Sequence, residues 1–307
     1  MERNIKPKVS VIIATFNSSH TLHYTIKSLL NQTFQDFEAW IIGDCCTDDT
    51  EQIITDFNDS RLNWYNRSVN SGSQPAPNNE GLKRAVGKYI AYLGHDDLWM
   101  PNHLKELVSH EETLQLEFTY SLTLCISPKG IESVLGKKFI GIYQMNFQTP
   151  PSSWLHKKEL INKIGYWNEN YLDLTVGPDM DFFRRAFSSC NKVHPLKKLT
   201  VLKFRSPAWK SYQNKEELTK VIKNYWERIS ANSYQLELEL LNLIAFKYSQ
   251  FHMQGMIIPP RKCIRMLMRY YYHYLKKHLL KIHIFKIFFN KYYLFKRKKN
   301  LIQRGLN

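Results

Sequence analysis

Val9 to Ala14 (VSVIIA) is a near-continuous run of apolar, mostly β-branched residues, the pattern of a strand covered on both faces. A polar loop, Thr15-Phe16-Asn17, follows, and Leu22, Ile26, Leu29 and Leu30 then recur at helical spacing. The alternation repeats. Phe37 to Gly43 predicts a second strand that delivers Asp44, Ile53, Ile54 and Phe57 predict a helix, and Leu62 to Tyr65 predicts a third short strand. Asn70 to Pro77, rich in Asn, Ser, Gly and Pro, predicts a loop, and Leu82 to Val86 a helix stopped by Gly87. Tyr89 to Leu93 predicts a buried fourth strand that runs through Gly94-His95 into two adjacent carboxylates, Asp96 and Asp97. Pro101 suits the first turn of a helix over His103 to Leu114. Strands and helices alternating at this spacing predict βαβ units, and so an α/β fold with a doubly wound, mostly parallel sheet.

Beyond Pro101 the rhythm changes. Phe118 to Ser127 alternates like a strand, and Ile131 to Tyr143 suggests antiparallel or irregular sheet. A helix is expected over Lys157 to Ile164, with Gly165 at its C-terminal cap. Gly177-Pro178-Asp179 reads as a loop opening into another helix, and Lys192 to Phe204 as closing strand. From Lys215 the pattern is helical until Pro259-Pro260 breaks it. Ile264, Met268, Tyr271, Leu275, Ile282, Phe285, Phe289 and Tyr292 then form one broad apolar face, with most Lys and Arg opposite. These patterns predict an α/β domain over residues 1–210, in halves 1–100 and 101–210, and a helical, basic, amphipathic extension over 211–307.

Charge sharpens that division. The chain of 307 residues has a formal net charge of +16, yet Arg261 to Asn307 alone holds 14 Lys or Arg and no acid, so the remainder is close to balanced. An aromatic-rich apolar face backed by a wholly basic one predicts a helix lying on an anionic membrane surface. A helix packed on the domain, or on a second copy in a homodimer, is the alternative. Nucleic acid is not the expected partner, because no recognised binding module accompanies the basic stretch. The five cysteines include no CxxC pair, which points to a reducing compartment rather than a disulfide or zinc framework. No apolar run reaches bilayer-spanning length, and the N-terminal run flows into a strand rather than a signal peptide. The expected location is cytoplasmic, attached peripherally to the inner face of the membrane.

The chemistry concentrates on Asp96 and Asp97. Acidic residues at the carboxyl end of a central strand stand where open α/β sheets bind ligands. Adjacent carboxylates repel each other, so they are comfortable beside a cation or in open water. Mg²⁺-like ions bind one or two carboxylates and complete their shell with phosphate oxygens and water. An isolated Asp-Asp pair is also an ordinary solvated turn, so the pair alone decides nothing.

Four ordered segments change that: VSVIIATFN, IIGDCCTDDT, NNEGLKRAVGKYIAYLGHDDLWMP and VGPDMDFFRR. Together they resemble the family 2 glycosyltransferases of the GT-A fold, over roughly Pro7 to Arg205. The resemblance implies a nucleotide-binding parallel sheet with a smaller mixed sheet for the acceptor. It further implies an inverting, metal-dependent transfer of a sugar from a UDP-, GDP- or dTDP-sugar to a hydroxyl of a cell-surface glycan or lipid-linked acceptor. By the same resemblance Thr15 and Asn17 would contact the nucleotide and Asp44 would accept hydrogen bonds from the base. Asp96 would reach the ribose or the ion's shell, Asp97 would ligate Mn²⁺ or Mg²⁺ directly, and Asp179 would be the general base. Asp181 reads instead as a carboxylate favoured by its helix N-terminus, and Arg205 as a candidate phosphate contact. The chain departs from the pattern at Gly94, where the family usually has an acid, at Gly43, Cys45 and Cys46, and after Arg205, where a histidine found in some members is missing. His95 reads as a loop histidine lining the site rather than as a metal ligand. Two rival readings use the same residues, a catalytically silent nucleotide-binding scaffold and a nucleotidyltransferase.

Overall fold

The computed structural model describes residues 6–136, 149–170, 173–174, 176–204 and 215–253. Arg205, the end of the Ile131–Tyr143 segment and the basic amphipathic stretch from Arg261 lie outside these. The chain divides into two compact units, Met1–Ser233 and Tyr234–Asn307.

Four strands build the first half: β1 (Val9–Thr15), β2 (Phe37–Gly43), β3 (Leu62–Asn66) and β4 (Tyr89–Tyr92). They lie in the order β3-β2-β1-β4, every pairing parallel. The intervening helices are α1 (Ser19–Leu30), α2 (Thr50–Asp56) and α3 (Pro75–Arg84). Because β1 connects outward to β2 on one side and pairs with β4 on the other, the sheet has a topological switch point between β1 and β4. β1, β2 and β4 are largely buried, which is why they read as mainly apolar runs.

After β4 come β5 (Asp97–Trp99), α4 (His103–Leu114), β6 (Phe118–Ser127) and β7 (Gly130–Leu135). A turn of 3-10 helix at Pro151–Ser153 leads into β8 (Trp154–Lys157), α5 (Leu160–Ile164), α6 (Pro178–Ser189) and β9 (Val193–Phe204). The mixed strands of the second half continue the first-half sheet, β4-β8-β6-β9-β5, with β7 added to β6. β8 is antiparallel to both β4 and β6, β9 is parallel to β6, and β5 is antiparallel to β9.

Three expectations are corrected here. The helix expected over Lys157 to Ile164 begins only at Leu160, because Trp154–Lys157 is a strand that fills the gap between β4 and β6. Asp97–Trp99 pairs with β9 instead of passing straight into the next helix. The supposed loop before Leu82 is already helical from Pro75, a proline at the first helical position that costs no hydrogen bond.

One apolar core lies around β1, β2 and β4 with α1 and α4. A second, aromatic core joins Tyr92, Trp154, Trp167 and Phe182. It seats α6 on β4, with Phe182 and Tyr92 rings 6.1 Å apart. Helical residues α7 (Lys215–Met253) are interrupted at Asn232, whose backbone leaves the helical region. Before the break Leu218, Ile222 and Ile229 are buried, and Tyr225 packs edge-on against Phe204 at 5.6 Å. In the second unit Tyr234, Leu238 and Leu241 form an exposed stripe. Among the described residues no helix is long and apolar enough to cross a membrane.

Candidate active site

The carboxyl ends of β1 and β4 bring the predicted segments together. The Leu93 amide donates to the Ile12 carbonyl at 3.0 Å, so the chain leaves β4 in register with β1. It then turns at once: the Asp97 amide donates to the Gly94 carbonyl at 3.0 Å, closing a four-residue turn with His95 and Asp96 at its tip. Asp96 is half-exposed and Asp97 is fully buried. The two neighbouring acids thus face different surroundings.

Asp97 is committed inward. In the β5–β9 register it stands opposite Lys203, whose Nζ lies 3.1 Å from Oδ2 and 3.4 Å from Oδ1. The Ser152 hydroxyl donates to the same carboxylate and accepts from the Gly94 amide at 3.0 Å. Burial pushes the Asp97 carboxyl up against the pull of Lys203. Burial opposes the Lys203 ammonium too, but Asp97 and Asp96 more than offset it and leave Lys203 above its ordinary value. Asp97, which the resemblance would make the direct metal ligand, is thus already paired within the protein. Its charge is already neutralised, and solvent does not reach it.

Gly94 belongs to this arrangement. A Cβ there would sit 2.8 Å from Asp97 Oδ2 and 3.3 Å from Ser152 Oγ. A side chain at Gly94 would press on the Asp97 carboxylate, which would have to shift to admit it.

Thr15 ends β1 and is buried, and its hydroxyl has no hydrogen-bond partner among the described residues. Its carbonyl accepts from the Asp44 amide at 2.8 Å, which joins the β1 and β2 ends. Asn17, at φ +45°, uses its amide to bridge the two loops: Oδ1 accepts from the Thr47 amide at 2.8 Å, and Nδ2 donates to Thr47 Oγ1 at 3.3 Å. Its side chain holds the loop beside the β1 and β2 ends.

Asp44 is buried at the end of β2 and receives the Arg67 guanidinium and the Ser71 amide, the latter at 2.9 Å. Arg67 and Ser71 were not singled out from the sequence. Their only signal is a cation and a hydroxyl shortly after the third strand, in a loop whose path the sequence does not fix. A carboxylate has about four acceptor positions, so Asp44 keeps capacity for a further donor.

His20, in the first turn of α1, is a further residue that the sequence did not flag. Burial, Lys215 and His95 hold its imidazole below the ordinary range, while Asp48 and Asp96 pull the other way. These five side chains share one electrostatic neighbourhood above β1 and β4.

Asp179 sits half-exposed in the first turn of α6. Its carboxylate lies over Gly177, where a Cβ would come within 2.6 Å of Oδ1. Asp181 is tied to Arg185 Nε at 3.0 Å, in keeping with a structural role. Asn79 clamps the segment ahead of α6. It accepts from the Trp167 amide at 2.8 Å and donates to the Trp167 carbonyl and the Glu169 carboxylate at 2.9 and 2.7 Å.

A divalent ion of the kind the resemblance implies fits what remains. Asp96 offers a hard oxygen at the turn tip, and Mg²⁺-like ions accept a single carboxylate when phosphate oxygens and water complete the shell. Among the described residues no group of three or more His, Cys, Asp or Glu side chains is poised to hold a metal. An ion here would depend on the nucleotide for most of its ligands. A cavity of about 420 Å³ beside Lys88, Lys157 and Tyr166 opens at the opposite, amino-terminal end of β4 and is not part of this site.

A sheet with a switch point, carrying an acidic turn at the carboxyl end of a central strand, defines an open α/β protein with its ligand crevice at that point. The model of the glycosyl transferase family 2 matches residues 10–173, more than half of the chain, and the chain belongs to that family. A relative from Escherichia coli, the UDP-Glc:alpha-D-GlcNAc-diphosphoundecaprenol beta-1,3-glucosyltransferase WfaP, is 38% identical over 113 residues, 37% of this chain and 45% of WfaP. The putative teichuronic acid biosynthesis glycosyltransferase TuaG of Bacillus subtilis is 36% identical over 129 residues, 41% of this chain and 48% of TuaG. The matches thus span just under half the length of these curated relatives. Among solved structures, S. aureus TarS 1-349 in complex with UDP-GlcNAc aligns with a TM-score of 0.54 at 22% identity, covering 65% of this chain and 59% of that one. The shared fold is GT-A.

Proposed function

We propose that the protein is an inverting glycosyltransferase that moves a sugar from a uridine or thymidine diphosphate donor to a hydroxyl of a lipid-linked or cell-surface glycan. The observation that carries this reading is the turn at the switch point, which leaves Asp96 open to a ligand while Lys203 retires Asp97.

Asp44 and Arg67 support the choice of base. A carboxylate acceptor beside a guanidinium donor complements the imide edge of uracil or thymine, which offers an N–H next to a carbonyl. WfaP is named for a UDP-glucose donor, and TarS was solved with UDP-GlcNAc. The unpartnered Thr15 hydroxyl would hydrogen-bond to the nucleotide. Asp96 would hold Mn²⁺ or Mg²⁺ against the diphosphate, and the ion would supply charge neutralisation of the leaving group. Asp179 would take the proton from the acceptor hydroxyl as its oxygen attacks the anomeric carbon from the face opposite the diphosphate. One displacement with one base inverts configuration.

The acceptor proposal leans on WfaP, whose name specifies a diphosphoundecaprenol-linked sugar. A lipid-linked acceptor accords with the peripheral membrane attachment expected of the basic tail. The loss of an acid at Gly94 favours one rival, a silent nucleotide-binding scaffold.

The deciding experiment incubates the full chain with UDP-sugars, Mn²⁺ and an undecaprenyl-diphosphate-linked amino sugar. Transfer with release of UDP, lost in Asp96→Asn and Asp179→Asn, is the expected result. UDP-sugar binding without turnover would establish the scaffold, and pyrophosphate release would indicate a nucleotidyltransferase.

A further inference from the structure

We infer that His95 supplies an imidazole nitrogen to the divalent ion proposed for Asp96, making the protein's share of the site a histidine–aspartate pair. The inference rests on the proposed metal use and goes beyond it by naming the second ligand and the metal preference that follows.

The turn leaves few candidates. Gly94 has no side chain, and a Cβ there would stand 2.8 Å from Asp97 Oδ2. Asp97 is buried and neutralised by Lys203. The two tip residues, His95 and Asp96, are the ones the turn turns outward, and both are half-exposed.

The hydrogen bonding of His95 fixes its chemistry. Nδ1 lies 3.1 Å from the Ala14 carbonyl oxygen. A carbonyl only accepts, so Nδ1 carries a proton, and in the neutral ring the lone pair lies on Nε2. Metal-binding histidines show this pattern: the ring nitrogen that does not bind the ion donates to a backbone carbonyl or carboxylate, which sets tautomer and ring orientation. Ala14 is part of β1, one residue before Thr15, so the bond ties the ring to the rigid side of the switch point. His95 is thus oriented before any ligand arrives, next in sequence to the one outward carboxylate.

A nitrogen ligand has a measurable consequence. Imidazole suits Mn²⁺ and the later divalent ions better than Mg²⁺, which prefers an all-oxygen shell. The chain should therefore select Mn²⁺ or Co²⁺ over Mg²⁺ more strongly than two carboxylates would.

The test uses the full-length chain with UDP and Mn²⁺, examined by pulsed electron paramagnetic resonance. A directly bound ¹⁴N is expected in the wild type, altered on ¹⁵N-histidine labelling, retained in His20→Ala and lost in His95→Ala. Loss of the ligand should weaken Mn²⁺ binding by about tenfold or more while changing Mg²⁺ binding less. Mn²⁺ bound together with UDP but without nitrogen coupling would overturn the role of His95 and leave the metal proposal standing. Failure of the wild type to bind Mn²⁺ in the presence of UDP would overturn both. The wild-type spectrum decides the matter even if the His95 variant does not fold.

Discussion

Lys203 stands directly across two antiparallel strands from Asp97, its Nζ 3.1 Å from a carboxylate that solvent does not reach. This pairing determines which of two adjacent acids is left for a ligand. It also makes the pair a structural element in its own right. Removing one member strands a buried charge, whereas removing both leaves a neutral contact.

Lys203→Met should therefore destabilise the protein by about 3 kcal/mol, since breaking a buried ion pair costs more than the pair contributes. The double variant Asp97→Asn/Lys203→Met should recover much of that loss. Chemical denaturation of the two variants and the wild type would check it, and equal stability of single and double variants would refute it.

Asn79 makes three hydrogen bonds to Trp167 and Glu169, the segment that precedes α6. Asn79→Ala should leave the Trp167 amide unpaired and lower stability by about 2 kcal/mol. Because Asp179 begins the next helix, turnover should fall more than donor binding does. A comparison of kcat with the affinity for UDP would measure that split.

Acidification should weaken the fold through two buried histidines. Burial pushes His103 down to about 3 and His156 down to about 4. His156 sits in a directed chain: Trp167 Nε1 donates to the Tyr92 hydroxyl, and Tyr92 donates to His156 Nε2. His156 Nδ1 in turn donates to the Lys157 carbonyl at 2.8 Å. Both nitrogens are used in the neutral form. Below about pH 6.5 the unfolded chain takes up protons that the folded chain refuses, so stability falls with pH until the folded value is reached. For His156 the total is about 3 kcal/mol, complete near pH 4. Melting temperature should drop steadily from pH 7 to pH 5, and His156→Gln should flatten that slope even though it lowers stability at neutral pH.

The basic tail gives a prediction independent of the active site. The full chain should cosediment with vesicles containing anionic lipid, and a chain ending at Pro260 should not, with the difference shrinking as salt is raised. Equal binding of the two chains would remove the membrane proposal.

What the sequence revealed and what it hid follow from how local each determinant is. β1, β2 and β4 are covered on both faces, and burial of that kind is written directly as apolar runs. β5 and β8 are strands of three and four residues that exist because β9, β4 and β6 provide edges for them. Nothing within Asp97–Trp99 or Trp154–Lys157 announces such partners. Pro75 and Pro77 read as breakers, although a proline in the first helical turn starts a helix as readily as it ends one. At the site, Asp96 and Asp97 were visible as a pair. Which of them faces outward depends on Lys203, separated from Asp97 by 106 positions. Arg67 was missed for the same reason, because its meaning comes from Asp44 across a loop.

The strand order has a consequence for biosynthesis. β4 borders β8, and β5 has its register only from β9, the last strand of the sheet to be synthesised. While the ribosome is still translating the middle of the gene, the acidic turn has one flank formed and the other without a partner. On the proposed function the donor site is complete only once residue 204 has left the exit tunnel, and a fragment released before β8 is made would leave that edge of β4 without its partner.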